Sequence, residues 1–177
     1  MMRFPFSRTI NTFVRSRLIR GSAFSRFRAE MFASQYDDWV KHYLPLSLKG
    51  KTVLDVGAGE GETAKFYLEH GVRKVICIEP DTQSFRLLQV NAANWPIECF
   101  NKKFDISDLN RSFDFMKMDI EGYEEELLNA EFDKPCVIEV HGLQLRDKFE
   151  NAGYITTYGS QKAAGCICYA YKNIPKL

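Results

Sequence analysis

Long apolar runs, paired cysteines and, in the first part of the chain, acidic residues are all missing from this sequence. No run of 18 apolar residues occurs, which excludes a protein with several membrane spans. The five cysteines form no CxxC pair and their number is odd, so neither a structural zinc site nor a disulfide scaffold is expected. Four of them lie in apolar, strand-like stretches. This pattern predicts reduced, buried thiols in a cytoplasmic protein.

The first 28 residues contain seven arginines, five phenylalanines and no acid, and we call them the arm. The whole chain of 177 residues has 24 bases and 23 acids, which leaves 17 bases and 23 acids for residues 29–177. The arm suits an anionic membrane surface or RNA, and it equally suits the acidic remainder of its own chain. The same composition is typical of mitochondrial transit peptides. We expect a cytoplasmic protein that can lie at the membrane periphery.

Aromatic residues recur at steps of three and four between positions 23 and 43, which predicts a helix whose apolar stripe packs against the main domain. Pro45 ends this pattern. We therefore predict two parts of the chain, a basic and aromatic helical extension over residues 1–49 and a main domain over residues 50–177.

From residue 51 onward, short apolar runs alternate with helical patterns. This alternation predicts an α/β protein whose mostly parallel sheet carries helices on both faces. The last two strand-like runs, YITTYG and GCICYAY, have no helix between them and predict an antiparallel pair. The expected fold is Rossmann-like, with seven strands and an antiparallel pair at the C-terminal end.

A glycine loop, GAGEG at positions 57–61, follows the first strand-like run, and Glu79 ends the second. Glycines let the backbone approach a ligand, and a carboxylate after the second strand can accept both hydroxyls of a ribose. The two features together predict an adenosine-type ligand. Glu60 and Glu62 would repel a pyrophosphate. S-adenosylmethionine (SAM) has a sulfonium cation and no phosphate, so the loop favours SAM over a dinucleotide.

Four stretches carry a family resemblance: VLDVGAGEG, VICIEPD, MKMDIEGYE and VIEVHG. The first two resemble motifs of class I SAM-dependent methyltransferases, and the last two resemble signatures of the FkbM-like family of these enzymes. The resemblance covers about residues 50–171. It implies the class I methyltransferase fold, SAM as the cofactor, and methyl transfer to a hydroxyl oxygen of a sugar, a glycolipid or another small molecule.

The expected cofactor site lies around the glycine loop and the ends of the neighbouring strands. Asp55 can contact the methionine end of SAM, directly or through water, or it can hold the amides of its own loop. Asp119 ends the fourth strand, where the methyl group is expected. The glycine loop and the resemblance together assign cofactor binding to Asp55, Gly57, Ala58, Gly59, Gly61, Glu79, Pro80, Asp105 and Asp119.

Carboxylates and a histidine follow the fourth and fifth strands. Asp119 and Glu121 are two positions apart, and Glu139 and His141 repeat this spacing. If the strands are neighbours, three carboxylates and an imidazole converge, which suits deprotonation of an alcohol. We predict Asp119 as the base, His141 as the second candidate and Glu121 as the residue that orients either one. Asp119 and Glu121 can alternatively hold Mg²⁺.

Glu124 either begins the next helix, where its negative charge interacts favourably with the helix dipole, or lines the site of methyl transfer, as the resemblance implies. His42 and His70 resemble ordinary surface or helix-end residues and are assigned no role.

Two other functions stay open, an RNA methyltransferase guided by the arm and a non-catalytic SAM-binding or scaffold protein that docks on a membrane or a partner. Nucleic acid is the less favoured acceptor, because no [ND]PP[FY] loop is present and Glu121 would repel phosphate.

Overall fold

The computed structural model describes residues 36, 38–158 and 168–174. The arm, the greater part of the helix predicted for residues 23–43, and Cys166 lie outside this part of the chain. Residues 38–42 are helical, as predicted. Trp39 and Tyr43 are buried in the main core, which confirms the predicted packing for this end of the helix, whereas Val40 is exposed. The predicted domain boundary between residues 49 and 50 stays a prediction.

Seven strands form one sheet in the order β3-β2-β1-β4-β5-β7-β6. The first five strands pair in parallel, and β7 runs antiparallel to both β5 and β6. The predicted α/β architecture is therefore confirmed, including the antiparallel pair at the C-terminal end. The strands are β1 Thr52–Val56, β2 Lys74–Ile78, β3 Ile97–Phe100, β4 Phe115–Met118, β5 Cys136–Val140, β6 Ile155–Thr157 and β7 Cys168–Lys172.

In the described part of the chain, three α-helices connect the strands: α1 Glu62–Glu69, α2 Thr82–Ala92 and α3 Leu143–Asn151. Asp81 caps α2, because its carboxylate accepts a hydrogen bond from the Ser84 amide at 2.7 Å. Two 3₁₀ helices follow β3 and β4, at Ile106–Asn110 and Glu124–Asn129. Within the described ranges, no helix combines the length and the apolar character that a membrane span needs.

Side-chain alternation along the strands divides the core between two faces of the sheet. What we call the first face packs against α1, α2 and residues 38–43, and the second face packs against α3 and the second 3₁₀ helix. To the second face the central strands bring buried apolar residues such as Leu54, Met116 and Ile138, and no buried charged side chain. On the first face they also bring Asp55 and Lys117, which are buried, and Glu139, which is half-buried.

Four cysteines lie in the described part of the chain, and all four are free. Cys77, Cys136 and Cys168 are buried, as predicted, whereas Cys99 on β3 is partly exposed. Burial raises the pKa of Cys136 to about 12, so its thiol is protonated and unreactive near neutral pH. The cytoplasmic location inferred from these thiols stays a prediction.

Candidate active site

The glycine loop leaves β1 at the carboxyl edge of the sheet and enters α1 at Gly61. Gly57 has a left-handed φ of 73°, and a Cβ atom there would lie 1.8 Å from the Asp119 carbonyl oxygen. Only glycine fits this position. The amides of Gly57 and Ala58 donate to the Ile78 carbonyl oxygen at 2.9 and 3.2 Å. The start of the loop is therefore fixed between the ends of β2 and β4.

Glu79 lies directly after β2 and faces this loop. Its Oε2 accepts a hydrogen bond from the Gly59 amide and its Oε1 accepts one from the Asp81 amide, both at 2.8 Å. Each carboxylate oxygen has a further lone pair, so Glu79 can accept ribose hydroxyls and keep both amides. The structure thus brings the predicted ribose acceptor and the glycine loop together.

A cavity opens beside the loop, among the ends of β1 to β4. Pro80, which we predicted at the cofactor site, lines it together with apolar residues of the later loops. Asp105 instead caps the first 3₁₀ helix, and the nearby Lys102 holds the pKa of its carboxyl down to about 2. The residues that line the cavity are Val56, Gly57, Ile78, Pro80, Lys103, Phe104, Ile120 and Tyr123.

Asp55 on β1 is fully buried and pairs with a lysine that the sequence analysis did not single out. The sheet register places Lys117 of β4 opposite Asp55, with Nζ 3.2 Å from Oδ1. The Thr63 hydroxyl donates to Asp55 Oδ2 at 2.5 Å. These partners replace the loop amides that the sequence suggested as the alternative to SAM. Burial raises the pKa of Asp55, and the charge of Lys117 opposes this rise.

Asp119, His141 and Glu124 form a chain of ionisable groups at the ends of β4 and β5. His141 Nδ1 lies 2.6 Å from Glu124 Oε1, and His141 Nε2 lies 3.8 Å from Asp119 Oδ1. The hydrogen bond with the buried Glu124 raises the pKa of His141. Burial raises the pKa of Asp119 against the charge of Lys117, although 32% of the Asp119 side chain stays exposed. Because Glu124 occupies Nδ1, Nε2 is the nitrogen that can accept a proton from a substrate.

Glu121 does not join this chain, and the carboxylate that contacts the His141 ring is that of Glu124. β4 ends at Met118, and Glu121 adopts a left-handed φ of 50° in an exposed turn. The strand alternation that was expected to align Glu121 with Asp119 has therefore already ended. Glu124 also begins the second 3₁₀ helix, as predicted. Among the described residues, no group of three or more His, Cys, Asp and Glu side chains can hold a metal.

Tyr43 connects the extension to the carboxyl end of β5, a contact that the sequence did not predict. Its hydroxyl donates to Glu139 Oε2 at 2.5 Å, across 96 positions of the chain. Burial, first of all, raises the pKa of Tyr43, and the charges of Asp119 and Glu139 add to this effect. The hydroxyl thus stays protonated and keeps Glu139 in place. A tyrosine at the end of an aromatic stripe carries no sequence signal for such a partner.

His42 ends the helical residues 38–42, one of the two locations predicted for it, but its side chain is buried and not at the surface. Its Nδ1 lies 2.5 Å from the Tyr171 hydroxyl oxygen, and its ring stacks on Tyr169 with centroids 4.0 Å apart. Burial lowers the pKa of His42 to about 4, which keeps the ring neutral at neutral pH. His70 lies at the C-terminal end of α1, as predicted.

Solved structures define the class of this fold. A ribosomal protein L11 methylase from Lactobacillus delbrueckii subsp. bulgaricus has a TM-score of 0.60 and 19% identity, with 79% of each chain covered. Magnesium protoporphyrin IX methyltransferase from Synechocystis PCC 6803, solved with bound SAM, has a TM-score of 0.60, 17% identity and 91% of each chain covered. Fibrillarin from Aeropyrum pernix, also with bound SAM, has a TM-score of 0.57, 11% identity and coverage of 77% and 73%. The chain therefore has the fold of SAM-dependent methyltransferases.

One characterised protein is similar to part of the sequence. Protein arginine N-methyltransferase 6 from Danio rerio is 31% identical over 90 residues, which make up 48% of this chain and 26% of that protein. The match thus spans about a quarter of the length of this relative. No protein-family profile matches the chain, so membership of the FkbM-like family stays a prediction.

Proposed function

We propose that this protein is a SAM-dependent methyltransferase that methylates a hydroxyl oxygen of a sugar, a glycolipid or another small molecule. One observation carries the proposal. The glycine loop, Glu79 and a largely apolar cavity meet at the carboxyl edge of a methyltransferase-type sheet, and Asp119 and His141 lie at the same edge. This edge is where doubly wound α/β proteins bind their ligands.

The described residues fit SAM. Glu79 offers lone pairs to the ribose hydroxyls, and Pro80, Phe104 and Ile120 supply apolar surface for the adenine ring. The carboxylate of Asp119, which is partly exposed, suits a neighbouring sulfonium cation. When bound, SAM supplies a methyl group on an activated leaving group.

The protein's own task is to position the acceptor and to take its proton. An alcohol is a poor nucleophile at neutral pH, so a well-placed base contributes about 10²- to 10⁴-fold in rate. Asp119 can accept the hydroxyl proton directly. His141 can accept it at Nε2, because Glu124 fixes the ring through Nδ1 and stabilises the imidazolium that forms.

The test has two stages, cofactor binding and then transfer. Calorimetry with SAM and with S-adenosylhomocysteine (SAH) should give micromolar-range affinity, about 8 kcal/mol. Label from methyl-labelled SAM should then move to a member of a panel of sugars, lipids and other alcohols, and mass spectrometry should locate it on oxygen. SAH binding without transfer to any acceptor would favour the non-catalytic SAM-binding alternative. Preferential binding of NAD would contradict the SAM assignment itself.

Methyl transfer to a basic nitrogen is the second candidate. The local identity to an arginine N-methyltransferase supports it, as do the carboxylates at the reaction end, which suit a cationic acceptor. Arginine- and lysine-containing peptides therefore belong in the same acceptor panel. Label found on nitrogen would replace the hydroxyl proposal and leave the cofactor assignment intact.

We further propose that the arm contacts an anionic membrane surface. Seven arginines supply charge and five phenylalanines supply apolar side chains for the lipid interface. The full chain should sediment with vesicles that contain phosphatidylserine at low salt, and a variant that lacks residues 1–28 should not. Equal sedimentation of both would leave the acidic remainder of the chain as the partner of the arm. Salt-dependent affinity for RNA would favour the RNA alternative instead.

A further inference from the structure

We infer that Lys117 is a positioning residue of the cofactor site, which holds the first peptide of the glycine loop through the Gly57 carbonyl group. This inference rests on the proposed function, because it gives the loop the role of a SAM-binding element.

Lys117 has an unusual location for a lysine. It lies in the middle of the sheet, on β4, and only 1% of its side chain is exposed. Lysine is almost never fully buried unless its ammonium group is paired. The ammonium group of Lys117 therefore needs partners inside the protein, and the identity of these partners indicates what the lysine does.

The ammonium group of Lys117 reaches three separate parts of the site. Nζ donates to the Gly57 carbonyl oxygen at 2.9 Å. It lies 3.2 Å from Asp55 Oδ1 on β1 and 3.9 Å from Asp119 Oδ2 after β4. An ammonium group has three donors, so one side chain can tie the strand, the loop and the predicted base together.

The bond to the loop distinguishes Lys117 from a simple partner of Asp55. The peptide group between Gly57 and Ala58 is held on both sides, because its N–H, from Ala58, donates to the Ile78 carbonyl oxygen and its carbonyl, from Gly57, accepts from Lys117. Gly57 also lies so close to Asp119 that no Cβ atom fits. Loss of the lysine would leave the part-buried Gly57 carbonyl without its donor, and the loop would relieve this by turning away from its present position.

A four-variant comparison separates the two roles of Lys117. Lys117→Met keeps the unbranched apolar part of the side chain and removes the ammonium donors. Asp55→Asn removes the acidic partner, and the double variant removes both charges together. Lys74→Met is the matched control, since Lys74 also lies on a parallel strand but forms an exposed pair with Glu98. Each protein is titrated with SAH by calorimetry and is unfolded in urea.

Lys74→Met should bind SAH within twofold of the wild type, and Lys117→Met should bind at least tenfold more weakly. The double variant should regain stability relative to Lys117→Met, because Asp55 no longer lacks its partner. Its SAH affinity should still be at least tenfold below that of Asp55→Asn, because the Gly57 carbonyl still lacks its donor. If Lys117→Met does not fold, this last comparison decides the question alone.

SAH binding by the double variant equal to that of Asp55→Asn would overturn the inference and leave Lys117 as a charge partner only. Faster exchange of the Gly57 and Ala58 amides in the double variant, with unchanged exchange in the core strands, would support it independently. A wild-type protein that fails to bind SAH would contradict the proposed function first, and this inference with it.

Discussion

The two faces of the sheet are built from the same strands, but the central strands bury charged side chains on the first face only. On the second face, the central strands bury Leu54, Met116 and Ile138 and no charged side chain. On the first face, alternate residues of the same strands are Asp55, Lys117 and Glu139. Removing a charge from water costs several kcal/mol, so stability alone does not favour such residues. The difference indicates that the second face holds the sheet together and that the first face holds the site in position.

The charged residues of the first face lie where several segments of the chain meet. Lys117 contacts the glycine loop and Asp55, and Glu139 accepts a hydrogen bond from the hydroxyl of Tyr43 in the extension. Each buried charge therefore has a partner from a different element. Substitutions on the second face should consequently lower stability more than ligand binding, and substitutions on the first face should lower function.

Asp119→Asn should have the largest effect of all. The substitution keeps the shape of the side chain and removes the base, so turnover with the acceptor found in the labelling panel should fall about 10²- to 10⁴-fold. The SAH affinity should change little, because SAH lacks the sulfonium cation that the Asp119 carboxylate would face in SAM. Steady-state kinetics and calorimetry measure the two effects. Near-normal turnover in both Asp119→Asn and His141→Ala would place the chemistry at other residues.

Leu54→Ala should show the opposite behaviour on the second face. Leu54 is fully buried, and its truncation should cost about 2–5 kcal/mol in the free energy of unfolding. Urea unfolding measures this loss, and calorimetry at a temperature where the variant is folded should give an SAH affinity within twofold of the wild type. A large loss of affinity per folded molecule would show that the two faces are not separable in this way.

Local patterns in the sequence were sufficient to predict the fold. Strand and helix alternation, the glycine loop and Glu79 after β2 are short-range features, and all were found where expected. Contacts that depend on sheet register or on distant segments were not predictable. Lys117 faces Asp55 because β1 and β4 are neighbours in a particular register, although the two residues are far apart in sequence.

The contact of His141 with Glu124, where Glu121 was predicted, has a different physical cause. The sequence places Glu121 two residues after Asp119, and the strand period predicts that both point to one side. The chain leaves the strand after Met118 and turns through a left-handed residue, a change that nothing in the local composition announces. Glu124 then meets His141 across the neighbouring strand ends.

His42→Phe should change how stability depends on pH. The pKa of His42 is about 4 in the folded protein and its ordinary value is 6.5, so the unfolded chain takes up the proton first as the pH falls. The wild type should therefore lose up to about 3 kcal/mol of stability from this residue between pH 6.5 and pH 4. Phenylalanine keeps the stacking on Tyr169 and cannot titrate.

Urea unfolding of both proteins at several pH values measures the difference between their free energies of unfolding. The contributions of the carboxylates, which both proteins share, cancel in this difference. The wild type should be the more stable protein at pH 7.5, where the neutral ring bonds the Tyr171 hydroxyl. This advantage should shrink steadily on acidification. A difference that is constant with pH would show that His42 is not held neutral on the first face.

Glu79→Ala should weaken binding of both SAM and SAH about 10- to 100-fold, the effect of losing hydrogen bonds to a charged acceptor. Glu98→Ala is the matched control, because Glu98 lies on the neighbouring β3 in an exposed pair with Lys74. Glu79 also accepts hydrogen bonds from the amides of Gly59 and Asp81, so part of the loss will come through the loop rather than through the ribose.

Titration with 2′-deoxy and 3′-deoxy analogues of SAH separates the two contributions. The wild type should discriminate against both analogues, whereas Glu79→Ala should bind them as it binds SAH. If the wild type does not distinguish the analogues from SAH, Glu79 holds the loop and not the ribose.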